Sequence, residues 1–231
     1  VKTARSATPL EPRLKAATKA LPADEAPRRA NAPGRPRDME KRAAILAASE
    51  RLFLALGFER SSMDAIAAEA GVSKITVYSH FEDKDSLFRE VVKNKCERQL
   101  PPEIFVINAR APLRQQLTQI GRAFYGLVMS DDAIALHRLM TAQQEPKLAQ
   151  LFWEEGPKRA KAMFAEFLRA EVEAGALEID DFYRAAGHFF CLLKGEPFMR
   201  ITYGCGEVSE SDALAHIDNV VDFFIRAYTP R

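Results

Sequence analysis

The sequence predicts an all-α fold: an N-terminal three-helix unit built around a helix-turn-helix, followed by an antiparallel helical bundle. Three observations carry that expectation. The stretch SSMDAIAAEAGVSKITVYSHFEDK, from Ser61 to Lys84, reads as two short helices joined at a Gly-Val-Ser turn. Everything past Pro101-Pro102 reads as helix interrupted by Pro and Gly, and no segment makes a convincing strand. With 231 residues, 47% of them hydrophobic, the chain can supply a real core and has room for one large or two modest domains.

Residues 1–37 are rich in Ala, Pro and Arg and nearly empty of large apolar groups, so this segment is expected to be a disordered basic tail. A second unit, 38–100, opens with the apolar helix AAILAASERLFLALGF. Ser61 or Ser62 can cap the next helix, which buries Ile66 and Ala67; Gly71 tolerates the left-handed conformation that closes it. Val72 can anchor the turn, and Ser73 caps a helix from Lys74 to about Ser79 with Val77 facing inward. A further helix begins near Asp83, with Lys84 in its first turn. A third unit, 101–231, carries expected helices near Pro112 to Met129, Asp131 to Gln143, Pro146 to Glu155, Pro157 to Ala174, Asp181 to Tyr203 and Ser209 to Tyr228.

The short helix after Ser73 offers an outward set suited to nucleic acid. Lys74 can donate to guanine O6 and N7 or to a phosphate, and Ile75 can meet a thymine methyl. The hydroxyls of Thr76 and Tyr78 can donate to phosphate oxygens, and His80 lies just beyond. Lys84 sits beside the free amides of a helix start, where a phosphate is favoured. Solvated charge and a half-buried aromatic are the structural readings of the same residues taken singly; as one ordered block they point to duplex binding.

Net charge is +1, but it is unevenly spread: residues 1–38 carry a surplus of five basic groups, residues 39–95 are balanced, and residues 96–231 carry a surplus of four acidic ones. That polarity suits a DNA-facing N-terminal end and an acidic remote end. Cys96, Cys191 and Cys205 are widely spread, with no CxxC, and read as reduced thiols of a cytosolic protein. His188 and Cys191 could be half a metal site, although a histidine and a thiol buried in the core is the weightier reading. An enzyme is excluded on inventory. The chain has no phosphate-cradling glycine loop, no HExxH and no GxSxG, its four histidines lack metal-ligand spacing, and Gly204-Cys205-Gly206 is a fragment of a dinucleotide motif in the wrong context. No cofactor or metal is expected, and no apolar run approaches the length of a membrane span.

From Arg42 to about Leu100 the chain resembles the DNA-binding domain of the TetR/AcrR family of bacterial transcriptional regulators. The features that carry the resemblance are the apolar first helix, the capping serines before MDAIAAEAGVS, the run KITVYSHF and the following DKDSLF. The resemblance implies base or groove contacts from Lys74 and Ile75, and phosphate contacts from Ser62, Thr76, Tyr78, His80 and Lys84. It also implies a basic arm in which Arg35 and Arg37 reach phosphates or a minor groove. Two positions depart from the family's common pattern: Ile75, often Gly, Ala or Pro, and Asp64, where some members carry a basic side chain.

In the final helix Leu214, Ile217, Val221, Phe224 and Tyr228 form a seam at steps of three and four that needs a partner, either the protein's own core or another chain. The resemblance implies the second: the last two helices pair with their copies in a four-helix dimer interface, so that two recognition helices read a palindromic operator. Leu136 to Tyr203 resembles the AefR-like C-terminal domain of the same family. Phe124, Tyr125, Met129, His137, Trp153, Phe164, Phe167, Phe189 and Phe190 could line an apolar pocket there. The expected protein is a homodimeric, cytoplasmic, nucleoid-associated repressor, released from its operator by a small apolar or aromatic ligand. The alternative is a ligand-insensitive regulator or an activator.

Overall fold

Local hydrogen bonds fix where the helices of the N-terminal unit begin. In the computed structural model, which describes residues 35–143 and 145–230, α1 (Arg35–Leu56) is followed by α2 (Met63–Glu69), α3 (Lys74–His80) and α4 (Lys84–Gln99). The Ser62 hydroxyl accepts from the Ala65 amide at 3.1 Å, and the Ser73 hydroxyl accepts from the Thr76 amide at 3.1 Å. Asp83 and Ser86 form a reciprocal capping box at the start of α4. Each cap satisfies an amide that a helix start leaves without a partner. Gly71, at φ +65°, turns the chain out of α2 so that the Val72 amide can donate to the Ala67 carbonyl at 3.0 Å. Val72 is half-buried against the core of this unit.

The first helix starts earlier than composition led one to expect. Its backbone is helical from Arg35, three residues before the boundary drawn at 38, and Pro36 is tolerated in the first turn because an amide there would lack a helical acceptor anyway. The rest of the expected disordered tail, residues 1–34, and the side chains of Arg35 and Arg37 lie outside the described residues. Ile45, Leu46 and Phe53 of α1 close over Ile66, Val77, Leu87 and Phe88. Phe53, Phe58 and Phe88 meet as a triad with ring centroids 5.4–5.6 Å apart.

A short 3₁₀ turn, Pro102–Phe105, leads into six further helices: α5 (Leu113–Met129), α6 (Asp131–Gln143), α7 (Pro146–Trp153), α8 (Arg159–Glu173), α9 (Phe182–Thr202) and α10 (Glu210–Tyr228). The expected break between α7 and α8 is a continuous π turn, Glu154–Lys158, that absorbs Pro157. It brings Gly156 against α4, where a β-carbon on that glycine would lie 3.4 Å from Val92 Cγ1. The bundle core is aromatic. Phe164 packs between Phe189 at 4.9 Å and Phe190 at 5.1 Å, and Phe124 stacks on Phe190 at 4.1 Å. Gly121 lets α5 approach α10 so closely that a β-carbon would come within 3.2 Å of Ile217 Cγ2.

The seam of the final helix faces this core. Ile217, Val221 and Phe224 are at most 3% exposed, packed with α5 and α9, while Leu214 and Tyr228 are half-buried. The expected interchain role of Ile217, Val221 and Phe224 is corrected accordingly: the protein's own helices already satisfy their need for a partner. α9 is interrupted at Gly195 (φ 45°, ψ −151°), two residues before Pro197, whose missing amide leaves the Leu193 carbonyl without its helical donor. His216 of α10 lies 3.0 Å from that oxygen and 3.1 Å from the Leu192 oxygen; since carbonyls only accept, its Nε2 carries the proton. Among the described residues there is no strand, and no helix is long and apolar enough to cross a membrane.

The two helical units are bolted together through α4. Lys95 joins Glu50 of α1 at 2.7 Å to Asp132 of α6 at 2.5 Å, Lys147 of α7 reaches Asp85 at 2.5 Å, and Arg159 of α8 reaches Glu97 at 2.6 Å.

Candidate nucleic-acid interface

With Val77 fully buried beneath it, α3 turns its other sides to solvent. Ile75 is 82% exposed and Tyr78 46% exposed, large apolar surface that a free protein gains nothing by showing to water. Lys74 is exposed beside them, its ammonium 6.0 Å from the Tyr78 ring. Ser62 is exposed, and its hydroxyl proton remains available while its oxygen caps α2. Thr76 is half-buried, with its hydroxyl 2.8 Å from that of Ser73. The face thus combines a cation, an apolar knob and three hydroxyls.

Sequence reasoning marked Asp64 only as a departure; it holds Lys74. The carboxylate lies 2.7 Å from the Lys74 ammonium, and its hydrogen bond and charge push the lysine above its ordinary pKa. Both groups are solvent-exposed, so the pair is a weak tether. The lysine can leave it for a stronger acceptor.

Two expected contacts are placed differently. The His80 side chain is only 10% exposed and turns toward α1, its Nε2 3.3 Å from the Asp38 carboxylate, so the ring does not join the α3 face. Lys84 folds back over Phe58, 4.2 Å from the ring centroid, and donates to the Phe58 and Glu59 carbonyls at 2.9 and 3.3 Å. Those carbonyls belong to the turn after α1, where the Phe58 oxygen also accepts from the Ser61 amide at 3.2 Å. One Lys84 N–H is left for a phosphate.

Behind the head lies a cavity of about 240 Å³ whose wall is mostly carbon. Of the expected pocket residues, Phe124, His137, Trp153 and Phe190 line it, while Tyr125, Met129, Phe164, Phe167 and Phe189 do not. Phe164, Phe167 and Phe189 are at most 1% exposed and form the bundle core; Tyr125 is buried near His216, and Met129 packs on the core from outside. The missed wall comes from the N-terminal unit: Phe53 of α1 and Phe88, Val92 and Cys96 of α4. Lys95, Lys161 and Lys194 are its cations. Burial pushes the Cys96 thiol up to about 11, which keeps it unreactive. His188 and Cys191 are exposed rather than buried in the core, His188 bonding the Tyr228 hydroxyl at 2.9 Å, and no three candidate ligands gather around a metal position among the described residues. On the outside of α9 and α10, Leu192, Met199 and Phe223 are 37%, 53% and 55% exposed.

Comparison with known proteins agrees with both units. The profile of bacterial regulatory proteins of the tetR family matches residues 45–91, and that of the AefR-like transcriptional repressor C-terminal domain matches residues 115–230. The transcriptional activator FasR of Mycolicibacterium smegmatis is 31% identical over 96 residues, 42% of this chain and 43% of its own length. The transcriptional repressor BepR of Brucella suis biovar 1 is 43% identical over 53 residues, 23% of this chain and 25% of its own. The matched stretch therefore spans less than half the length of these curated relatives. Solved structures align more fully. A protein of Mesorhizobium loti described as a TetR-family transcriptional regulator is 29% identical, with a TM-score of 0.71 over 84% of this chain and 99% of that one. The flavonoid-responsive regulator FrrA is 34% identical, with a TM-score of 0.69 over the same shares, 84% and 99%. With one profile covering the head and the other covering half of the chain, this protein belongs to the TetR family of bacterial transcriptional regulators, with an AefR-like C-terminal domain.

Proposed function

We propose that the chain works as a homodimeric, cytoplasmic repressor, bound at the nucleoid to a palindromic operator through two copies of α3 and released by a small apolar or aromatic ligand. The observation that carries this reading is the exposed α3 face, with Lys74, Ile75 and Tyr78 presented from a rigid capped unit. Lys74 and Ile75 read base edges; Ser62, Thr76, Tyr78 and the free N–H of Lys84 hold phosphates, with Arg35 and Arg37 as the arm. The outward faces of α9 and α10, with Leu192, Met199 and Phe223, form the dimer surface in place of the buried seam.

The cavity supports the linkage because its wall includes α1, against which α2 and α3 pack, and α4, which packs on α1. A ligand that fits only one spacing of these walls favours one spacing of the two reading helices. Activation is the second reading, favoured by FasR being named an activator; its sign depends on where the operator lies relative to a promoter.

Selection of bound fragments from random duplex DNA at fixed physiological salt tests the proposal. The wild type is expected to enrich a palindrome that a Lys74→Ala/Tyr78→Ala variant does not. No enrichment by the wild type, with and without apolar ligands, would end the reading. Asp64→Asn is expected to raise affinity for any duplex severalfold, since it removes both the tether on Lys74 and a charge that repels phosphate. Fluorescence anisotropy at one salt concentration measures this, and unchanged affinity would mean that Lys74 is not recruited to DNA.

A further inference from the structure

We propose that the cavity takes an apolar molecule of about two aromatic rings carrying one anionic group, a carboxylate or phenolate, and that Lys194 is the partner of that anion. This rests on the reading of the cavity as the effector site and names the chemistry of its ligand.

The three cations of the wall are not equivalent. Lys95 is neutralised by Glu50 and Asp132. Lys161 lies over the exposed Tyr183 ring, 3.8 Å from its centroid. Lys194 is half-buried in the wall, and among the described residues no carboxylate pairs with it. Its neighbours are the Phe198 ring at 5.1 Å and, one helical turn back, the Cys191 thiol. Desolvation pushes this lysine below its ordinary pKa, the mark of a charge whose counter-ion is not supplied by the protein. An incoming anion supplies it and takes the charge-assisted hydrogen bond that a low-dielectric wall strengthens.

The other groups agree. His137, edge-on to Phe198 at 5.1 Å, is held below its ordinary pKa by burial and then by Lys194, so at neutral pH it adds an uncharged hydrogen-bonding ring and no rival charge. Phe124, Phe190 and Trp153 offer flat apolar surface to the body of the ligand. A dry cavity of roughly 150 Å³ accepts one benzene ring. At about 240 Å³ this one has space for a second, fused or linked.

Two fluorescent two-ring probes separate the charge from the rings: 5-dimethylaminonaphthalene-1-sulfonate, and its uncharged counterpart 5-dimethylaminonaphthalene-1-sulfonamide. Energy transfer from Trp153, the only tryptophan in the chain and part of the wall, strengthens as a probe approaches this wall. Titrations of the full chain are expected to show Lys194→Met weakening the sulfonate probe about tenfold or more, the size of one lost charge-assisted bond, with the neutral probe within about twofold of wild type. Lys194→Arg should retain the sulfonate probe, and Lys161→Met should retain the difference in affinity between the two probes. Equal loss of both probes in Lys194→Met, no loss of either, or transfer of the anion effect to Lys161→Met would overturn the assignment. Binding of neither probe to the wild type would remove the effector-site reading itself, a separate outcome from wild-type binding without discrimination.

Discussion

Phe224→Ala is expected to lower the melting temperature by about 10 °C, whereas Phe223→Asp, one residue earlier, should yield a folded monomer. Phe224 is 1% exposed, 5.0 Å from the Phe189 ring and 4.7 Å from that of Tyr228. Deleting a phenylalanine from such a site removes its transfer energy and leaves a cavity, together about 3–5 kcal/mol. In a chain of this size each kcal/mol corresponds to roughly 2–4 °C. Phe223 points the other way and is 55% exposed. A carboxylate there costs the isolated subunit little but would be buried without a partner in a symmetric interface, twice over. Scanning calorimetry and light scattering separate the two. A dimeric, thermally unchanged Phe224→Ala protein together with an unfolded Phe223→Asp protein would mean that the two faces of α10 have been assigned the wrong way round.

That pair of residues also shows what periodicity can and cannot say. The steps of three and four from Leu214 to Tyr228 identified a helix with one apolar side, and the helix is there. They carry no information on whether the surface covering that side belongs to the same chain, and Gly121 on α5, which gives α10 room to dock, lies 96 residues before Ile217. Features set by neighbours in the chain were legible: Ser62, Ser73 and Asp83 cap the amides three residues ahead of them, and α6 runs over the expected Asp131–Gln143. Features set at a distance were not. Lys84 meets carbonyls 25 and 26 residues away, and His80 meets Asp38. The cavity wall draws on α1 and α4 as well as the bundle, so of the nine bundle residues expected to line it four do and five belong elsewhere. Pro157 was legible as a break but not as a π turn, because the close contact of Gly156 with Val92 and Cys96 is a tertiary one.

Lys74→Ala is expected to reduce affinity for the selected operator by about thirtyfold or more and to flatten base preference at one or two positions in each half-site, while Tyr78→Phe should weaken all duplexes alike, by about tenfold. A good bidentate contact from lysine to a guanine edge discriminates by roughly 1–3 kcal/mol, and a two-fold dimer makes it twice, so the loss compounds to about 2–6 kcal/mol, from some thirtyfold upward. Little of this is given back by the protein, because the pair that Lys74 leaves, with Asp64 at 2.7 Å, is exposed on both sides and screened by salt. Among the described residues the Tyr78 hydroxyl has no hydrogen-bond partner, and it sits at the exposed end of a ring suited to lie along a phosphate backbone, a contact that positions without reading. Anisotropy titrations on the selected operator, and on its single-base variants, at several salt concentrations distinguish the roles. A uniform loss in Lys74→Ala, with the salt dependence reduced by about one unit per subunit, would reassign that lysine to a phosphate. A shifted base preference in Tyr78→Phe would reassign the hydroxyl to a base edge, leaving Ile75, 82% exposed, as the remaining apolar reader of the groove.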